Sequence, residues 1–181
     1  MTSEPDDNEL VRECLNGDEH AFELLLLRYQ KPVWNAVWRM VRDRDQAADL
    51  TQTAFLKAYE QLGKFDPQHK FFSWLYRIAI NEAINHVKRH RRLEPIADDW
   101  ASGARSPEEA LVGSDLSDHV QEALMKLTYD NRAVLVLRHF EGCSYEEMAV
   151  ILGVTEKKVK SRLFSARRQL KELLEARGIL Q

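Results

Sequence analysis

Cysteine, glycine and proline are all scarce in this chain of 181 residues, which has two, seven and five of them. Cys14 and Cys143 lie far apart and form no CxxC or other ligand spacing, so a cysteine metal site is excluded and free thiols in a reducing cytoplasm are expected. So few turn-forming residues disfavour a strand-rich fold and favour helices. No stretch approaches the roughly 20 apolar residues of a membrane span, so no membrane insertion is expected. The acidic N-terminus has no apolar run, and no secretory leader is expected there. There is also no glycine-rich phosphate loop, no HExxH, and no defensible Ser/His/Asp or Cys/His arrangement. The expectation is therefore a protein that is not an enzyme and needs no cofactor. His86 and His90 are four apart, as metal ligands can be. The sequence offers no obvious third ligand, and Lys88, Arg89 and Arg91 crowd the pair with positive charge, so no metal site is expected.

What is present is a chain that should fold and stay soluble, 44% hydrophobic and 30% charged. Its net charge of −3 conceals a segregation. Residues 1–13 carry five acids against Arg12, a net −4, and residues 93–118 carry seven acids against Arg105, a net −6. Residues 155–172 carry seven basic residues against Glu156 and Glu172, a net +5. A local basic face matters more than the total for contact with phosphate.

The apolar spacing predicts helices throughout. The first spans residues 6–15 and ends at the turn Asn16-Gly17, after which Asp18 can cap the next. That second helix carries Phe22, Leu25, Tyr29, Val33, Val37 and Met40, with a kink or break expected at Pro32. A third is expected at 46–62, then a loop over 65–70, then a fourth at 71–91 that is apolar first and basic last. Residues 93–105, with Pro95, Asp98, Asp99 and Gly103, read as an acidic linker and domain boundary. Ser106-Pro107-Glu108-Glu109 reads as a helix start. Further helices are expected at 115–127, 130–141, 144–152 and 155–176. The fold class expected is all-α, with two small helical domains at 1–92 and 114–181 joined by a linker at 93–113.

The strongest local motif runs from Ser144 to Phe164. Ser144 and Glu147 can form a capping box, Gly153 supplies a tight turn, and Thr155 can cap the second helix. Met148, Ala149, Ile151, Leu152, Val154, Val159 and Leu163 form the core pattern. Lys157, Lys158, Lys160, Ser161, Arg162, Ser165, Arg167 and Arg168 face outward, which suits a recognition helix in a major groove. A helix-turn-helix alone does not separate a repressor from other DNA readers.

Three segments, in order, resemble the extracytoplasmic-function sigma factors: residues 45–59 (DQAADLTQTAFLKAY), residues 71–86 (FFSWLYRIAINEAINH) and residues 134–148 (VLVLRHFEGCSYEEM), the last running into the helix-turn-helix. The resemblance implies sigma region 2 and sigma region 4, no cofactor, and as partners core RNA polymerase and promoter DNA. It implies that the helix at 46–62 meets the β′ clamp helices through Asp45, Asp49, Gln52 and Thr53. It also implies that region 2 reads the −10 element, while region 4 meets the β flap and reads the −35 element. Phe65, Phe71, Phe72 and Trp74 surround a loop that can hold an unstacked base. His69, Lys70, Asn81, Asn85, Lys88 and Arg89 are the candidate −10 contacts, and Phe72 and Trp74 are read as core. The acidic linker, with Asp98 and Asp99, is either an RNA mimic in the polymerase cleft or a solvated tether.

One departure stands out. The family's clamp-binding helix carries acids where this chain has Ala48 and Thr53, so a face holding Asp45, Asp49 and Gln52 lacks two charges. A phosphothreonine at Thr53, or at neighbouring Thr51, carries about −1.5 to −2 charges and restores what is missing. Control by a Ser/Thr protein kinase is thus one reading, and control by an ordinary anti-sigma factor is the other. A dimeric helix-turn-helix repressor or activator is the rival outside the family.

Overall fold

The computed structural model describes residues 5–93 and 115–179, with side chains for 5–89 and 118–179. Among them are eight α-helices and no strand. In chain order they are α1 (Asp7–Leu15), α2 (Glu19–Val41), α3 (Arg44–Glu60), α4 (Phe71–Leu93), α5 (Asp115–Lys126), α6 (Tyr129–Leu135), α7 (Tyr145–Leu152) and α8 (Glu156–Glu175). A 3-10 turn, Leu62–Lys64, follows α3. A π turn, Val136–Phe140, follows α6.

Local sequence starts most of these helices. Asp6, Asp18, Asp43, Thr128, Ser144 and Thr155 each accept a hydrogen bond from a backbone N–H in the first turn that follows. Such a cap satisfies one of the four donors a helix start leaves open and contributes about 1 kcal/mol. At α1 and α7 the cap is reciprocal, with Glu9 and Glu147 accepting from the cap residues' own N–H groups.

Three expectations change. The break at Pro32 does not occur, since α2 runs unbroken through it. A mid-helix proline costs about 3 kcal/mol. Here Leu25 on one side, and Val33, Ala36 and Val37 on the other, are fully buried and hold both segments to one core. The third helix starts at Arg44, two residues early, because Asp43 caps it. The helix expected at 130–141 divides, its second part widening into the π turn. The linker at 93–113, with Asp98, Asp99 and the helix start at Ser106–Glu109, falls almost wholly outside the described residues, as does the side chain of His90.

In the N-terminal half, α2 packs against α1, α3 and α4. In the C-terminal half, α6 and α7 pack on α8. The halves are joined by a seam in which α4 lies along α7 and the end of α2 meets α5, α6 and the π turn. Their buried side chains form one continuous core, from Leu10 to Ala166. The polar contacts across the seam are specific. Gln121 Nε2 donates to the Arg39 carbonyl at 3.1 Å, and Arg132 Nη1 donates to the Met40 carbonyl. Tyr76 Oη donates to Glu141 Oε2 at 2.7 Å, and Lys70 Nζ pairs with Glu147 at 2.6 Å.

Candidate functional site

The helix-turn-helix forms as its motif predicts. Gly153 takes φ +63° and ψ 37° at the end of α7. That left-handed turn is the conformation in which a side chain is strained, and it aims α8 away from α7. Val159 and Leu163 are buried beneath α8, while Lys157, Lys158, Lys160, Ser161, Arg167 and Arg168 are exposed. Lys157 and Lys158 have no ion pair among the described residues, so their ammonium groups stand ready for an anion. Several of the other candidates are already engaged. Lys160 lies 3.7 Å from Glu156 and over the Tyr145 ring, and Arg168 lies 3.7 Å from Glu172. Arg162 is half-buried and 3.3 Å from Asp130, and Ser165 is also half-buried. Both therefore turn further inward than the sequence pattern predicts. Phe164 is 72% exposed on the same helix, the most exposed large apolar side chain among the described residues.

A second polar row lies on α4. Asn81, Asn85, Lys88 and Arg89 are exposed at roughly one-turn intervals, and His69 and Lys70 are exposed in the loop before it. Asp66 shapes that loop, its carboxylate accepting from the Gln68 N–H at 2.9 Å and its carbonyl from the His69 N–H at 3.0 Å. Beneath it, Phe65, Phe71 and Trp74 meet in pairs with ring centroids 5.5–5.7 Å apart. Phe65 and Phe71 are core. Trp74 and Phe72, read as core from the sequence, are half-buried. Trp74 lines a cavity of about 430 Å³ with His69 and Arg77, whose far wall is Ala149, Val150, Gly153, Val154 and Thr155. A loop with an aromatic pocket is thus present, but half its lining comes from the other half of the chain. Arg77 had no signal in the sequence beyond its charge.

The third surface is α3. Asp45, Ala48, Asp49 and Gln52 are exposed on one face, with Thr53 half-buried beside them. Thr51, the other modification candidate, is only 8% exposed, and its hydroxyl is buried without a hydrogen-bond partner. It forms part of an apolar groove of about 660 Å³ between α2 and α3, with Phe22, Trp34, Phe55, Leu56 and Tyr59 among its walls and Ala48 and Gln52 at its lip. The sequence pattern gave no sign of this groove, although Leu56 and Tyr59 are 59% and 47% exposed. The rear of α3 is tied to α4 by Lys57–Glu82 at 2.7 Å and by Gln46 Oε1 to His86 Nε2 at 2.6 Å.

Neither cysteine is paired: Cys14 is half-buried, and burial pushes the Cys143 thiol up to about 12. Among the described residues no cluster of three His, Cys, Asp or Glu is placed to hold a metal, and no helix is long and apolar enough to cross a membrane.

Residues 25–93 match the sigma-70 region 2 family and residues 117–170 match the sigma-70 region 4 family. The RNA polymerase sigma-H factor of Pseudomonas aeruginosa is 37% identical, over 97% of each chain. The ECF RNA polymerase sigma-E factor of Escherichia coli K12 is 36% identical, over 92% of this chain and 93% of that protein. Among solved structures, the sigma factor RpoE of Bartonella quintana, in complex with the anti-sigma factor NepR, has a TM-score of 0.70 at 32% identity, covering 85% of this chain and 96% of that one. CnrH in complex with the cytosolic domain of CnrY has a TM-score of 0.71 at 29% identity, covering 94% of this chain and 97% of that one.

Proposed function

Because the chain belongs to the sigma-70 family, as a sigma factor of the extracytoplasmic-function type, we propose that it joins core RNA polymerase and directs it to promoters. The observation that carries this reading is the capped helix-turn-helix with Lys157, Lys158, Lys160 and Ser161 exposed on the first turns of α8. Long donors there reach bases and phosphates of the −35 element. In region 2, His69, Lys70, Asn81, Asn85, Lys88 and Arg89 contact the −10 element, with Trp74 and Arg77 beside the pocket for an unstacked base. The exposed face of α3, through Asp45, Asp49 and Gln52 with Thr53 at its edge, meets the β′ clamp helices. Region 4 meets the β flap.

The test is transcription by reconstituted holoenzyme with a core pull-down and size-exclusion chromatography. A sigma factor binds core tightly, binds free duplex weakly and initiates at specific sites. A dimer that binds duplex without polymerase sinks the reading in favour of a repressor or activator.

Regulation has two candidate routes. A phosphate on Thr53 adds charge next to Asp49 and Gln52, where the face is depleted. Changing Thr53 to Glu, and separately to Ala, tests it, and the idea fails if Glu strengthens neither core binding nor transcription. The apolar groove beside α3 favours the second route, a regulatory protein that lays an apolar helix face into the region 2 surface as an anti-sigma factor would.

A further inference from the structure

Helix α1 lies outside the part of the chain that matches region 2, which begins at residue 25. It nevertheless meets the proposed −10 loop, residues 65–70, from three directions. Just before the loop, Leu15 lies beside Gly63, where an added Cβ would stand 4.0 Å from Leu15 Cδ2. At the crown, Asn8 Nδ2 donates to the Pro67 carbonyl in a long bond of 3.4 Å. At the base the contact is indirect. Phe65 and Phe71 flank the loop, are both buried, and meet edge to face with ring centroids 5.6 Å apart. Tyr29 of α2 packs on Phe71 at 5.7 Å and on Phe72 at 6.4 Å. Its hydroxyl donates to Asp7 Oδ2, while Asp7 Oδ1 pairs with Arg28.

These ties are separate from the packing that seats α1. Leu10 and Val11 carry the burial, at 0% and 3% exposed. The reciprocal cap between Asp6 and Glu9 fixes the first turn, and with it the directions of Asp7 and Asn8, the first two residues of α1. Asp7 is favoured there as an anion by the helix dipole. Arg28 adds a second tie, its Nη2 donating to the Pro5 carbonyl at 2.9 Å. Burial and the Asp7 carboxylate push the Tyr29 pKa up, so the hydroxyl stays a donor. The loop itself has little to hold it. Asp66 accepts from the N–H groups of Gln68 and His69, and residues 66–70 are all exposed. A pocket for an unstacked base needs its groups fixed to within about 0.5 Å. The buried rings fix the ends of the loop, and α1 reaches its crown.

We propose that Asp7 and Asn8 are positioning residues for promoter opening: α1 ties the crown of the −10 loop through Asn8 and braces its aromatic base through Asp7 and Tyr29, setting the pocket that receives the unstacked base. The proposal rests on the sigma-factor reading for what the loop does, but the placement of the loop is measured without polymerase or DNA.

The experiment compares the free chain with the holoenzyme. Asn8→Leu keeps the shape and favours the helix but has no donor. Tyr29→Phe keeps the ring and removes only the hydroxyl. Asp7→Leu with Asn8→Leu severs both ties, and thermal unfolding followed by circular dichroism verifies each fold. In the free chain, NMR should show the amides of Gln68 and His69 shifted in every variant and those of α8 unchanged. For the holoenzyme, the probe is a promoter duplex drawn from the start sites it uses on genomic DNA, with 2-aminopurine in the −10 element, whose fluorescence rises as the base unstacks. The double variant should open it about tenfold more slowly and each single variant about threefold, with core affinity within about twofold of wild type. If the double variant unfolds, the single variants decide. Unmoved loop amides, opening at the wild-type rate in a folded variant, or core affinity that falls in step with opening each overturns the proposal. If the wild-type holoenzyme opens no promoter, the sigma-factor reading falls, and the loop amides alone decide whether α1 sets the loop.

Discussion

Helices α3 and α8 each turn a face towards a proposed macromolecular partner, yet they are built on opposite plans. On α8 the outward row is charge, with Lys157, Lys158, Lys160, Arg167 and Arg168 exposed above buried Val159 and Leu163. On α3 the outward row is short and charge-poor, with Asp45 and Asp49 separated by Ala48, and an apolar groove opens beside it. The difference reflects the partners. Phosphate attracts at a distance and tolerates approximate placement, so a row of cations suffices. A protein helix is recognised by shape and buried apolar area, so the site has to be a cavity with exposed hydrophobic anchors.

That contrast can be broken at several points. Replacing Lys157, Lys158 and Lys160 together by Ala should lower promoter affinity by more than about 100-fold at low salt and reduce the salt slope by about 3, one unit for each phosphate left without its cation. Fluorescence anisotropy of the holoenzyme across a salt series measures both, and an unchanged slope would remove α8 from the DNA. Leu56→Asp should weaken binding of an anti-sigma-type regulator to the groove by about 10- to 100-fold, as loss of a central apolar anchor does, while core binding through Asp45, Asp49 and Gln52 changes little. Its 59% exposure predicts an almost unchanged melting curve, and a large fall in stability would return Leu56 to the core. Ala48→Glu restores one acid to the exposed face of α3. It should strengthen core binding only a few-fold, about 0.2–1 kcal/mol, and less as salt rises.

The smallest effect concerns pH. Arg167 Nε lies 3.2 Å from His139 Nε2, and because Arg only donates, that nitrogen must be unprotonated. Burial and the cations Arg167 and Arg138 lower the His139 pKa below its usual 6.5. The unfolded chain then takes up this proton more readily than the folded one. The contribution is fully present above pH 6.5 and declines as pH falls below it. Once the slower intrinsic exchange at lower pH is divided out, amide protection factors in α8 should therefore fall slightly between pH 7 and 5.5, while those of α3 are unaffected by this group. An NMR midpoint for His139 above 6.5 would contradict the geometry.

What could be read from the chain follows the range of the interaction concerned. The Ser144–Glu147 box, the left-handed Gly153 and the Thr155 cap were all legible because each involves residues at most four apart. The all-helical class was legible for the same reason. The absence of a break at Pro32 was not legible, because it depends on the buried residues on both sides of it. The burial of Thr51 was not legible: only the packing of α2 against α3 shows its hydroxyl sealed at the groove. Arg77 and Glu141 carried no sequence signal, since an isolated Arg or Glu is read as surface.

The sequence by itself determined most of the helices, their caps and the basic row of α8, because these depend on neighbours along the chain. Tertiary structure alone decided that the Thr51 hydroxyl is buried, that a groove lies beside α3, and that Arg132 closes the end of α2 some ninety residues away. Those features depend on burial, and burial is set by residues that meet only once the helices have packed.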